Sequence, residues 1–180
     1  MSNTIDEQEL LAQTAPLVYN LALRLTGNAA DAEDLAQDTL IRALKALPGF
    51  RGESGLKTWV YRITVNTWKN RVRSEKRRGF WKTVSLGLFA GAEGDDEPPF
   101  AADDPPLDRS LEQEEQQAQV QSALMDLDAD SRSIIVLREV QGQSYQELAE
   151  ALGVPEGTVK SRLCRARKAL QARLIKKVGP

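Results

Sequence analysis

SYQELAEALGVPEGTVKSRLCRARKAL, residues 144–170, is the stretch whose reading decides the fold. Ser144 stands three residues before Glu147, the spacing of a capping box, in which each side chain satisfies the other residue's orphan backbone donor at a helix start. The apolar positions of YQELAEAL then recur at helical spacing until Gly153-Val154-Pro155 breaks the run. Beyond that turn comes a second helix with five Lys or Arg side chains and a single acid, Glu156. At about 100° per residue, Val159, Leu163, Ala166 and Leu170 fall in one narrow arc that must face a core. Lys160, Ser161, Cys164, Arg165 and Lys168 occupy the opposite arc, with Arg162 and Arg167 on its flanks and Thr158 in the small, open first turn. Two helices joined by a tight Gly-containing turn, the second one basic, describe a helix-turn-helix. Its outer arc suits base edges in a major groove, and the flanking arginines suit phosphates. A charge run by itself more often marks a solvated helix face; here the capping box, the turn and the open first turn tip the balance to DNA.

The rest of the chain narrows what such a helix-turn-helix can belong to. The 180 residues suffice for one ordinary domain or two small ones, and 41% hydrophobic residues can fill packed cores. Histidine is absent, which removes Cys-His zinc sites and Ser-His or Cys-His nucleophile pairs. The one cysteine, Cys164, has no disulfide partner in the chain, so a reducing compartment is expected. MSNTIDEQEL is acidic and unlike a signal peptide, and no apolar run reaches 18 residues, so a cytoplasmic protein without stable membrane insertion is expected. The net charge of −2 hides strong segregation. Residues 1–50 carry 7 acids and 3 bases, residues 51–82 carry 10 bases and 2 acids, residues 91–130 carry 13 acids and 1 base, and residues 141–180 carry 8 bases and 3 acids. Two basic blocks around an acidic one suggest two polyanion-binding surfaces and a solvated tether.

Helical periodicity dominates, and no stretch alternates convincingly as a strand does. A first helix is expected from about Ile5 to Thr26, stopped by Gly27, and Asn28 with Asp31 starts a second that ends at Pro48-Gly49. After FRGESG, a third runs from about Leu56 to Arg78. On it Leu56, Trp59, Val60, Ile63 and Thr67 share one face, while Arg62, Asn66, Lys69, Asn70 and Arg73 share the adjacent one. Cations interleaved with amides and bordered by Trp59, Tyr61 and Trp68 suit single-stranded DNA, whose phosphates meet charge and whose unstacked bases meet rings. An amphipathic helix with Trp59 in its core is the plainer reading, and for Trp59 itself the better one. Residues 79–115 concentrate Gly, Pro and acids and read as an extended linker, although the apolar patch Phe80-Trp81, Leu86, Leu88-Phe89 suggests docking. Helices return from about Leu111, with Asp128 as a cap and Gly142 as a stop.

DAEDLAQDTLIRALKALPGFRGESGLKTWVYRITVN closely resembles region 2 of the extracytoplasmic-function (ECF) group of bacterial sigma factors, in the sigma-70 family. LREVQGQSYQELAEALGVPEGTVKSRLCRARKAL resembles their region 4. The resemblance implies an all-α protein of two small helical domains joined by a flexible acidic linker: residues 1–78 as region 2, 79–115 as linker and 116–180 as region 4. It implies a sigma factor that directs promoter-specific initiation by RNA polymerase in a stress or envelope response, with no catalytic residues, metal or cofactor of its own. Its partners would be the polymerase core, through the β′ clamp helices and β flap, promoter DNA, and an anti-sigma factor. Asp31, Glu33, Asp34, Leu35, Gln37 and Asp38 match the stretch that grips the clamp helices. Phe50 and Asn66 match the pocket for a base flipped from the −10 element, flanked by Trp59, Arg62, Lys69, Asn70 and Arg73. Arg138, Lys160, Ser161, Arg165 and Arg167 match −35 positions, and Thr158, Arg162, Cys164 and Lys168 complete that interface. Cys164 departs from the larger or more polar residues expected there.

Other readings of the same residues stand beside this one. Helix-dipole compensation explains Asp31 but not Asp38. Asp34 and Asp38 also have metal-pair spacing, yet a metal-dependent nuclease would need further ligands that the sequence does not offer. An autonomous dimeric helix-turn-helix regulator would bind duplex DNA without polymerase.

Overall fold

A computed structural model describes residues 6–86 and 111–178, and every described element is helical. Helix α1 spans Glu7–Thr26, α2 Ala29–Ala46 and α3 Leu56–Leu86, with a short 3-10 turn at Leu47–Gly49. The second half comprises α4 (Leu111–Met125), α5 (Ala129–Ile135) with a wider π-type turn at Val136–Val140, α6 (Tyr145–Leu152) and α7 (Glu156–Val178).

Local chemistry sets most of these boundaries. Asp6 caps α1 by accepting from Glu9 N at 2.7 Å, and Gly27 ends it in the left-handed region at φ +84, donating to Leu23 O. Asn28 then caps α2, accepting from Asp31 N while its amide donates to the Asp31 carboxylate. The capping box of α6 is formed from both sides: Glu147 N donates to Ser144 Oγ at 3.2 Å, and Ser144 N donates to Glu147 Oε2 at 2.7 Å. Gly153 closes α6 at φ +64, which any side chain would strain. Asp128 caps α5, accepting from Asp130 N and Ser131 N.

In the N-terminal half, Leu10, Val18, Leu21 and Leu25 of α1 pack on Ala32, Leu35, Ala36 and Ala43 of α2, with Val60 and Val65 of α3 closing the layer. The alanines on α2 let the two backbones approach. In the C-terminal half, Ile134, Val136, Leu137, Leu148, Val159, Leu163 and Ala166 form the core. These two sets are parts of one continuous apolar cluster, because α3 packs against α6 and α5, and α1 against α4 and the π turn.

Several sequence expectations need correction. The linker was expected to be extended from residue 79, but α3 runs on to Leu86; α4 begins at Leu111, where the helical pattern was expected to return. The docking patch expected over residues 80–89 lies outside the described side chains. Ile41, Val120 and Val140 are exposed, although each stands at helical spacing from apolar neighbours in the sequence. Tyr61 and Trp68, expected to border a strand-binding face, are buried and stack on no accessible surface.

Candidate nucleic-acid and polymerase interfaces

Helix α7 is held by the face that the periodicity assigns to the core: Val159, Leu163 and Ala166 are buried and Leu170 is half-buried. That leaves Lys160, Ser161, Cys164, Arg165, Arg167 and Lys168 exposed, with Thr158 and Arg162 half-buried at the margin. Ser161 Oγ donates to Thr158 O at 3.0 Å, and Arg165 Nε donates to Ser161 O at 3.3 Å, which lays the arginine along its own helix.

Two residues that the sequence reading passed over, Tyr145 and Glu139, organise this surface. Arg138 lies 4.9 Å over the Tyr145 ring, while its Nη1 donates to Gln143 O at 2.6 Å. Lys160 Nζ stands 5.8 Å from the same ring, so Tyr145 gathers cations from two elements. Glu139 takes two hydrogen bonds from Arg167, at 2.6 and 2.9 Å, and these raise the guanidinium's pKa above its ordinary value. Tyr145 was findable as the first residue of a capped helix beside a basic one. Glu139 was findable as the acid next to Arg138, just ahead of the basic block.

On α3, Trp59, Arg62, Asn66, Asn70 and Arg73 follow one another at helical spacing. The four polar members are exposed and Trp59 is half-buried. The Phe50 ring lies 4.8 Å from that of Trp59, tilted by 44°, which brings the preceding loop onto the start of this ridge. Lys69 is different. Its side chain is only 13% exposed, and its Nζ sits 2.6 Å from Asp130 of the C-terminal half.

The acidic helix α2 presents Asp31, Glu33, Asp34, Gln37 and Asp38 to solvent. Leu35, grouped with them by resemblance, is fully buried and supports the face from beneath. Ile41 is 51% exposed one turn beyond Asp38, giving an apolar point beside carboxylates that suits a protein partner better than water. Asp38 also reaches Arg71 of α3 at 3.4 Å, across a polar groove of about 370 Å³ lined in part by Arg42, Asn70 and Arg78. Among the described residues no three His, Cys, Asp or Glu side chains converge as a metal site. No helix there is long and apolar enough to cross a membrane.

Two family models match the chain: sigma-70 region 2 over residues 10–78 and sigma-70 region 4 over residues 117–170. The RNA polymerase sigma-H factor of Pseudomonas aeruginosa is 36% identical over 157 residues, covering 87% of this chain and 80% of its own. The ECF RNA polymerase sigma-E factor of Haemophilus influenzae is 36% identical over 145 residues, 80% of this chain and 75% of its own. Among solved structures, the sigma factor RpoE in complex with the anti-sigma factor NepR from Bartonella quintana matches with a TM-score of 0.69 at 32% identity. That match covers 93% of this chain and 95% of the other.

Proposed function

Because the chain belongs to the ECF group of sigma-70 family RNA polymerase sigma factors, we propose a division of labour among three surfaces. The carboxylates of α2, with Ile41, bind the polymerase clamp. The α3 ridge of Arg62, Asn66, Asn70 and Arg73, headed by Phe50 and Trp59, binds the separated −10 strand. The outer arc of α7, with Arg138 placed by Tyr145, reads the −35 duplex. Polymerase performs the chemistry, and this chain contributes promoter choice, so it carries no catalytic group. NepR in the neighbouring complex supports an anti-sigma partner for this chain too, and a stress or envelope response is the matching role.

The observation that carries this reading is the presence of two different cationic surfaces on one chain. The α3 ridge interleaves amides and aromatic rings with its charge, as unstacked bases require. The α7 arc is a basic helix standing proud of a helix-turn-helix, as a major groove requires. A regulator acting alone needs only the second.

Footprinting with and without core polymerase tests this. The purified chain should bind duplex DNA weakly and with steep salt dependence, and a sequence-specific footprint should appear only when core is added. Asp34→Lys with Asp38→Lys should weaken core binding while helical content stays unchanged. Tight, specific, dimeric binding without core would instead make the protein an autonomous regulator.

A further inference from the structure

One helical line along α3 starts in the core and ends in charge. Val60 and Thr64 are buried, and the same line continues through Thr67 and Arg71 to Ser74 and Arg78. A helix that went on packing against its neighbour would carry apolar side chains at those positions. Here it borders instead the polar groove of about 370 Å³ opposite Asp38 and Arg42 of α2, a volume ordinary for a small-molecule site.

Three guanidiniums line this groove, those of Arg42, Arg71 and Arg78, and Asn70 and Ser74 add neutral donors. Arg42 and Arg78 are exposed and make no side-chain hydrogen bond or ion pair among the described residues. Asp38 and Glu75 line the groove as well, so the charge there is mixed. The Asp38 carboxylate, however, meets Arg71 through a single 3.4 Å contact at the surface, and such a pair contributes little and is readily exchanged. A smaller cavity of about 150 Å³ shares Arg71 and Glu75 with the groove and is lined also by Arg132, whose Nε is buried without an acceptor among the described residues.

We propose that this groove is a binding site for a phosphate group, held by Arg42, Arg71 and Arg78. A carboxylate pairs fork to fork with one guanidinium, whereas a tetrahedral phosphate can turn oxygens toward three. The same three charges repel a metal cation. Phosphate at Arg71 replaces Asp38 as its partner, and Asp38 then keeps its whole charge for a basic partner. Because Asp38 also belongs to the clamp-binding face proposed above, phosphate and polymerase each strengthen the binding of the other. That coupling rests on the clamp reading; the site itself does not.

Calorimetric titration of the full chain with sodium pyrophosphate, and with inorganic phosphate as the smaller probe, tests the site. Pyrophosphate should bind saturably. Arg42→Gln with Arg78→Gln should weaken it at least about tenfold, the worth of one hydrogen bond to a charged group. Lys76→Gln with Arg77→Gln removes the same charge from α3 outside the groove and should change it little. All four side chains are exposed, so the variants should keep the helical content of the wild type. A phosphate of the DNA strand is the other source of the same chemistry. If neither free anion binds, but the groove variant in holoenzyme holds a −10 single strand less tightly than the control variant does, the phosphate is the strand's. Equal behaviour of the two double variants toward both kinds of probe overturns the site. Saturation with the probe that binds should also tighten core binding about two- to fivefold, the worth of one exposed ion pair, and the groove variant should show no gain. A wild-type chain whose core affinity ignores the bound probe overturns the exchange at Arg71. Core binding undiminished in Asp34→Lys with Asp38→Lys would remove the clamp reading and its coupling, and leave the calorimetric result standing.

Discussion

Tyr145 gathers the Arg138 guanidinium and the Lys160 ammonium on one ring, and neither cation would find its place from its own helix alone. Each such contact is worth about 0.5–1 kcal/mol at an exposed site. Tyr145→Leu should therefore cost about 1–2 kcal/mol of −35 duplex affinity in holoenzyme, while Tyr145→Phe, which keeps the ring, should cost little. Titration of the two variants against duplex DNA checks this, and equal losses would show that the hydroxyl matters rather than the ring. At this scale the sequence was readable wherever a residue's role follows from its place on its own helix, as with Val159 and Leu163 inward and Lys160 and Arg165 outward. It misled where the role depends on a distant segment. Tyr61 and Trp68 look like strand-stacking rings until the C-terminal half is packed on them. Lys69 looks as free as Arg73 until Asp130 arrives.

Among the elements, α6 is only 8 residues long, too short to hold itself together without its caps. Hydrogen bonds from the Ser144 backbone and hydroxyl hold the Glu147 carboxyl below its ordinary value of 4.5, with burial opposing them. A depressed folded-state pKa makes this stabilisation complete above the unfolded value and lost as pH falls through the folded one. Ser144→Ala should cost about 1 kcal/mol near neutrality, and the gap from wild type should narrow as the pH drops below 4.5, keeping the share that comes from Glu147 N donating to Ser144 Oγ. Denaturant unfolding followed by circular dichroism across that range measures it; a gap that stays constant down to the acid limb would remove the reciprocal cap from the account. Starts and stops with dedicated side chains were legible in this way. The end of α3 was not: Gly79 looks like a terminator, yet a glycine inside a helix costs only about 1 kcal/mol relative to alanine, and no proline follows until Pro98.

Over the whole molecule, charge segregation foretold two basic surfaces but not that the halves bearing them would close on each other. The seam between the halves joins glutamine, threonine, tyrosine, lysine, aspartate and arginine side chains and backbone carbonyls, groups with no shared periodic signature. Burial pushes the Tyr61 hydroxyl up from 10.0 to about 12. A raised folded-state value means the seam keeps this contribution below pH 10 and loses it as pH rises toward 12. Tyrosinate absorbance should accordingly show a late-ionising fraction that disappears in Tyr61→Phe, and a wild-type titration with no late fraction would contradict the packed arrangement.

Gly27 makes the point in a different currency, that of portability. Its left-handed φ ends α1, and a Cβ there would lie 2.7 Å from Met125 Sδ, so a turn in one half is shaped by a side chain of the other. Hybrids that graft the C-terminal half onto another relative's N-terminal half are therefore not free swaps of independent modules. A recipient with a bulkier residue at the Gly27 position would strain its own turn and push Met125 aside, so the graft would carry the C-terminal half across without the fit that it has here.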